Sequence, residues 1–284
     1  MNTNLLSGVK NRGSILTTTR DTIGSSMKKG TIYVIANWKM GPNSLDEAKK
    51  LFLDIKHSAI KMAQTMTIIC PPVVFLSELC NLYKGKKLNC GAQDIHYEEE
   101  GSFTGKVNAH MVKSVGASYV IVGHSEIRAL GETDEVVNKK IICALAQKLT
   151  VVLCIGEHER NRQGAYLAFL EQELENALKD IPQSALKNIM IAYEPIWAIG
   201  KGGSDAMKPR DVYETVLFLR KILANLYERK VALTVPILYG GSVEMNNSES
   251  LLSEGGIDGF LIGHASLSSA EFGAILNIAE KYST

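Results

Sequence analysis

From Thr31 onward, short apolar runs alternate with amphipathic stretches. Ile32-Tyr33-Val34-Ile35-Ala36 reads as a buried strand. Ser44-Leu45-Asp46-Glu47 is a capping box that opens a helix through about Ile60, with Leu51, Phe52, Ile55 and Ala59 as its apolar stripe. The pattern then predicts a strand at 66–70, a short helix from Val73 and a strand at 88–92. A polar loop with Glu98-Glu99-Glu100-Gly101 and a brief helix at 108–114 lead to a strand at 119–122. A helix opening at Thr133-Asp134-Glu135 leads to a strand at 151–155, and a long helix at 159–178 to a strand at 189–192. Helices at 210–227 and 246–252 precede strands at 235–238 and 257–262, and a helix at 266–281 ends the pattern.

This is eight strand-then-helix units. Their strands are continuously apolar rather than alternating, so both faces are covered, as in parallel sheets. Eight units in about 250 residues fit a closed (β/α)8 TIM barrel. An open doubly wound sheet is the competing architecture. No Pro/Gly/Ser-rich linker divides the chain, so residues 31–284 read as one domain.

Residues 1–30 differ. They carry Lys10, Arg12, Arg20, Lys28 and Lys29 against one acid, Asp21, are rich in Ser and Thr, and lack the apolar core of a secretory signal. They read as an N-terminal extension, either a disordered tail or translation assigned upstream of a true start at Met27. A weak organelle leader is the other reading, so the expected cytoplasmic location leaves import open. The remaining composition is ordinary: 45% hydrophobic, 21% charged and a net charge of +1 over 284 residues. Nothing there provides the clustered basic face that nucleic acid or a membrane surface requires, and no apolar run approaches a membrane span. The five cysteines form no C-x-x-C pair, so they read as small buried hydrophobes in a reducing compartment and not as metal ligands.

In a barrel, chemistry sits where strands end. The first strand ends in Asn37-Trp38-Lys39, the fourth in Gly123-His124-Ser125-Glu126, and the sixth in Glu194-Pro195. The last two end in Gly240-Gly241-Ser242 and Gly263-His264. Pro195 biases Glu194 toward extended backbone, and apolar cover from Ile196, Trp197 and Ile199 makes a carboxylate a better general base. The plain alternative is a structural acid at a tight strand end. His124 would face Glu194 and, beside a helix N-terminus, stay neutral; a histidine after a strand is otherwise commonly structural. The glycine-rich ends suggest an anion held by main-chain N–H groups, with Lys39 adding charge, against the alternative of simple rim turns.

Taken in order, Asn37-x-Lys39, Gly123-His124-Ser125-Glu126, Cys154-Ile155-Gly156-Glu157, Ala192-Tyr193-Glu194-Pro195-Ile196-Trp197-Ala198-Ile199-Gly200, Tyr239-Gly240-Gly241-Ser242-Val243 and Asp258-Gly259-Phe260-Leu261-Ile262-Gly263 closely resemble the triosephosphate isomerase family. The resemblance spans nearly everything from Tyr33 to the C-terminus. It implies interconversion of dihydroxyacetone phosphate and glyceraldehyde 3-phosphate through an enediolate, in glycolysis and gluconeogenesis. Glu194 is then the proton shuttle and His124 the neutral electrophile, a pairing for which this family is itself the standard example. Asn37 and Lys39 stabilise oxyanion charge. Gly200, Ser242, Gly263 and His264 bind substrate with them, Ser125 and Glu126 support, and the loop 195–206 closes as a lid. No metal or organic cofactor is implied. The resemblance also implies a homodimer, with Thr104 and Gln93 belonging to its loop contacts.

Four departures from the family pattern are legible. His264 replaces a second glycine, which costs about 1 kcal/mol if that position needs φ > 0. The lid reads Gly200-Lys201-Gly202-Gly203-Ser204-Asp205-Ala206, with a small insertion before Pro209. Lys106 and Ile127 replace a glutamate and an arginine that can meet across the family's dimer contact, so both charges are lost together.

Overall fold

The computed structural model describes residues 30–160, 163–200 and 206–283. The expectations for the N-terminal extension before Gly30 and for the lid tip at 201–205 lie outside these residues. Eight parallel strands close a barrel: β1 (Tyr33–Asn37), β2 (Met66–Cys70), β3 (Leu88–Ala92), β4 (Tyr119–Val122), β5 (Thr150–Ile155), β6 (Ile189–Tyr193), β7 (Ile237–Tyr239) and β8 (Gly259–Ile262). Closure is direct, because β1 pairs with both β2 and β8, with Ile35 opposite Ile68 on one side and Leu261 on the other.

Helices α1 (Leu45–Ala59), α2 (Val73–Asn81), α3 (Ala109–Ser114), α4 (Ser125–Arg128), α5 (Asp134–Ala146), α6 (Ala165–Ala177), α7 (Pro209–Leu226), α8 (Arg229–Ala232), α9 (Met245–Glu254) and α10 (Ser269–Tyr282) fill the connections. The N-termini of α1, α3 and α5 are capped by Ser44, Asn108 and Thr133, whose side chains accept the N–H of Glu47, Met111 and Val136. Each cap satisfies a donor that the helix leaves unpaired. Among the described residues no helix is long and apolar enough to cross a membrane.

Period-2 alternation divides each strand between two cores. Val34 and Ala36 face outward to Phe52 and Phe272 in the strand–helix layer, while Ile35, Ile121, Val152, Met190, Leu238 and Leu261 fill the barrel interior. The interior is therefore packed below the rim and not a pore, as in other barrels of this type. Cys70 and Cys154 lie in that interior and Cys80 and Cys90 in the outer layer; Cys143 is half-buried, its thiol donating to the Tyr97 carbonyl. Burial pushes the Cys154 thiol up, which keeps it unreactive.

Several boundaries differ from the pattern reading, among them the last helix, which begins at Ser269 and not at Ser266 because a 3-10 turn, His264–Leu267, precedes its Ser268 cap. The long helix begins at Ala165 and not near Glu159, because Gly164 sits at φ 76, outside helical space, and His158 accordingly lies in a bend. The strands read from Val235 and Ile257 begin at Ile237 and Gly259; both apolar starts are buried in the lead-in turns.

Candidate active site

The strand alternation that builds the barrel interior continues one step past its rim. Ile35 faces inward, and so do Asn37 and Lys39; Met190 and Ala192 face inward, and so does Glu194. These residues meet His124, Gly200, Ser242, Gly263 and His264 around one cavity of about 520 Å³ at the C-terminal ends of the strands. Every residue read from sequence as catalytic or substrate-binding lies on its wall.

One wall is buried and fully tied. β4 stops at Val122, and Gly123, at φ 74, turns the chain so that His124 caps α4. The Glu126 N–H donates to His124 Nδ1 at 3.3 Å, whereas the Glu126 carboxylate is 3.7 Å from that nitrogen, beyond hydrogen-bond reach. Nδ1 is thus the acceptor and Nε2 carries the proton. That Nε2 lies 3.2 Å from Glu194 Oε1, and the Ser125 N–H donates to Glu194 Oε2 at 3.1 Å. His124 and Glu194 are 7% and 2% exposed. Two glycines make room for the acid. A Cβ on Gly240 would stand 2.8 Å from Glu194 Cγ, and one on Gly156 only 1.7 Å from the Glu194 carbonyl oxygen.

The opposite wall is open. Lys39 adopts φ 51, a left-handed backbone costing about 1–2 kcal/mol for a side chain of this type. Its N–H donates to Asn37 Oδ1 at 3.1 Å, and its carbonyl accepts the Gln93 side-chain amide at 2.8 Å. Gln93 also donates to the Cys70 carbonyl at 2.9 Å, so within the chain it stays the strained turn. Lys39 Nζ pairs with Glu126 Oε1 at 2.6 Å, on a partly exposed rim where such pairs contribute little. An entering anion competes for that ammonium on favourable terms. His264 begins a 3-10 turn, His264–Leu267, and is not among the residues at positive φ, so the backbone penalty expected for replacing glycine does not arise.

The described part of the lid is anchored from below. Trp197 Nε1, the Tyr193 hydroxyl and Arg160 Nε all donate to Glu157 Oε1, at 2.9, 2.8 and 2.8 Å. Ser242 Oγ donates to the Ala198 carbonyl at 3.0 Å, which ties the turn after β7 to the lid's first residues. Burial pushes the Tyr193 phenol up, so it remains a donor to Glu157. Sequence reading singled out neither Glu157 nor Glu173 for a role. A signal existed for Glu173: it is an acid on the α6 stripe otherwise made of Leu170, Leu174 and Ala177. Thr104 stands away from the cavity on an exposed turn closed by the Lys106 N–H and the Phe103 carbonyl.

A family model described as triosephosphate isomerase matches residues 32–279. The chain belongs to the triosephosphate isomerase family. Among curated members of that family, the protein of Thermoanaerobacter pseudethanolicus is 39% identical over 246 residues, covering 86% of this chain and 98% of its own. The protein of Aster yellows witches'-broom phytoplasma is 39% identical over 256 residues, covering 89% and 92%. The crystal structure of triosephosphate isomerase from Bartonella henselae superposes with a TM-score of 0.76 at 31% identity, covering 87% of this chain and 98% of that one. As a member of the triosephosphate isomerase family, the chain interconverts dihydroxyacetone phosphate and glyceraldehyde 3-phosphate, an aldose–ketose isomerisation of glycolysis.

Proposed function

We propose that the isomerisation runs between the two walls, with Glu194 as the base and His124 Nε2–H as the electrophile. The observation that carries this assignment is the 3.2 Å contact between a buried carboxylate and a protonated imidazole nitrogen inside the cavity. Substrate takes the place of that contact. Its carbonyl oxygen accepts from His124 Nε2, and Glu194 removes a proton from the adjacent carbon, returning it to the former carbonyl carbon. Negative charge then develops on the substrate oxygens, which lie toward Asn37 and Lys39. A well-placed donor there contributes about 3–4 kcal/mol to the barrier. Ser125 and Glu126 support by holding Glu194, His124 and Lys39 in place. The substrate phosphate sits under main-chain N–H groups at Ser242, Gly263 and His264, with Gly200 completing the enclosure. Because proton transfer needs only these side chains, we assign no metal or organic cofactor.

The working unit is a homodimer. Along the connections that follow β1 to β4, Met40, Val74 and Leu130 are 93%, 76% and 84% exposed, and Phe103 and Met111 are exposed as well. Large apolar side chains left open along consecutive connections fit a protein–protein surface. Thr104 lies on one of these connections, and Gln93 carries the loop above it. With Lys106 and Ile127 the contact is more apolar than one built on a charge pair. We place the enzyme in the cytoplasm, in keeping with five unpaired cysteines.

A coupled assay in both directions, comparing the wild type with Glu194→Asp, tests the assignment. The shortened acid lowers kcat by about two to three orders of magnitude, since a 1 Å displacement of a reacting group can cost about 100-fold. A variant within a few-fold of wild type removes Glu194 from the chemistry.

A further inference from the structure

Behind the buried wall lies a charged group that the reaction does not touch. Glu173 projects from α6 among apolar neighbours and is 3% exposed. A carboxylate is costly at such a position unless its oxygens are satisfied. Here Oε2 accepts the Gly156 N–H at 2.8 Å and Oε1 lies 3.2 Å from Arg128 Nε. Both partners lead directly to the reacting pair. Arg128 Nε also donates to the carbonyl of Gly123, the residue before His124, at 2.8 Å. Gly156 packs against the Glu194 backbone so closely that no side chain fits between them, and the Glu194 N–H donates to the Ile155 carbonyl at 2.8 Å.

We propose that Glu173 is a positioning residue for the isomerisation: its charged carboxylate clamps the ends of β4 and β5, through Arg128 and the Gly156 N–H, and so sets His124 and Glu194 at their working separation. This rests on the assignment of those two residues to the chemistry. The groups that face the carboxylate are Arg128 on α4, Asp134 at the start of α5, Cys154 and Gly156 at the end of β5, and Glu194 beyond β6. Asp134 holds Arg128 Nη1 at 2.6 Å from the far side. When Glu173 is neutral, Asp134 is left as the only charged partner of Arg128 among these, and the guanidinium is no longer drawn toward Gly156.

Burial pushes the Glu173 carboxyl up to about 7, even though Arg128 and the Gly156 N–H pull it down; Asp134 and Glu194 add to the rise. The clamp therefore loses its charge near neutrality. The sign is distinctive. An acid whose value is raised by folding contributes stability that is complete below the ordinary carboxylate range and is lost as pH rises through about 7. Activity moves the other way, because the charged form does the clamping. A purely structural residue moves stability and activity together.

The test is kcat, KM and Tm from about pH 5.5 to about pH 9 for the wild type, Glu173→Gln, the similarly sized apolar Glu173→Met, and Glu175→Gln as an exposed control on the same helix. Expected is a wild-type kcat that rises through neutrality and a flat Glu173→Gln profile at the wild-type low-pH level. Above neutrality the variant sits about tenfold below wild type, within the range that small misplacements produce. Its KM stays within about twofold, its Tm above neutrality equals or exceeds wild type, and Glu173→Met follows the same profile. Glu175→Gln tracks the wild type throughout. The proposal is overturned if Glu173→Gln keeps the wild-type profile, or if both Glu173 variants lose kcat and Tm together at every pH. A wild type with no isomerase activity at any pH overturns the underlying assignment instead.

Discussion

The two walls of the cavity are built on opposite terms. His124 and Glu194 are buried, and each is fixed by a backbone N–H from the first turn of α4. Lys39 and His264 stand on an open rim, and the lysine ammonium is paired at the surface with Glu126 from a left-handed turn. The roles proposed for the two walls account for the difference. Proton transfer depends on sub-ångström placement of two groups, which only packed and hydrogen-bonded side chains keep. Anion capture depends on charge and main-chain donors, which tolerate movement. Of the chain's departures from the family pattern, the one at His264 falls on the tolerant side.

That contrast can be broken by substitution. On the fixed wall, His124→Asn lowers kcat by about 100- to 1000-fold with KM changed far less, since it removes a donor aimed at developing charge. On the open wall, Lys39→Ala raises KM and lowers kcat together, because its charge serves both binding and the transition state. Steady-state kinetics of the two variants side by side check this; equal kcat losses with no KM change for Lys39→Ala erase the distinction between the walls.

Next in size is the apolar rim. Leu130→Asp places a charge in the surface proposed as the dimer contact and shifts the protein toward monomer by about tenfold or more in the dissociation constant. Light scattering across a concentration series reads the change, and a wild type that is already monomeric at micromolar concentration contradicts the contact. Smaller still is His264→Gly. It alters KM more than kcat, by about two- to fivefold, as befits one exposed side chain near an anion. Identical kinetics from about pH 6 to about pH 9 leave His264 with no part in binding. The smallest effect belongs to Glu126→Gln. It frees Lys39 from its surface pair and changes kcat/KM by only a few-fold, the scale of an exposed ion pair.

The barrel was legible because the signals were local and repeated. Six of the eight strands begin and end within one residue of their pattern reading, the Ser44 cap opens α1 as its capping box predicts, and α3 and α5 open at the predicted starts near Asn108 and Thr133. The misses have physical causes. The start of α6 was hidden by charged residues that read as helical, while a left-handed Gly164 set the boundary. The β7 and β8 starts were hidden by apolar residues that are buried without pairing. At the site, Asn37, Lys39, His124 and Glu194 were visible because each stands at a strand end. Gln93 was read only as a dimer-loop residue, and Glu157 and Glu173 were given no role, because the bonds that matter run to Lys39, Trp197 and Gly156, 54, 40 and 17 residues away in sequence. No local pattern records that a carboxylate on α6 meets the N–H of Gly156.

The most direct measurement follows the proton. With dihydroxyacetone phosphate as substrate in deuterated water and the product trapped as it forms, the account predicts glyceraldehyde 3-phosphate carrying deuterium at the carbon beside its aldehyde, and Glu194→Asp forming that product orders of magnitude more slowly. Product without deuterium, or deuterated product formed by Glu194→Asp at the wild-type rate, contradicts transfer through a single exchangeable carboxylate.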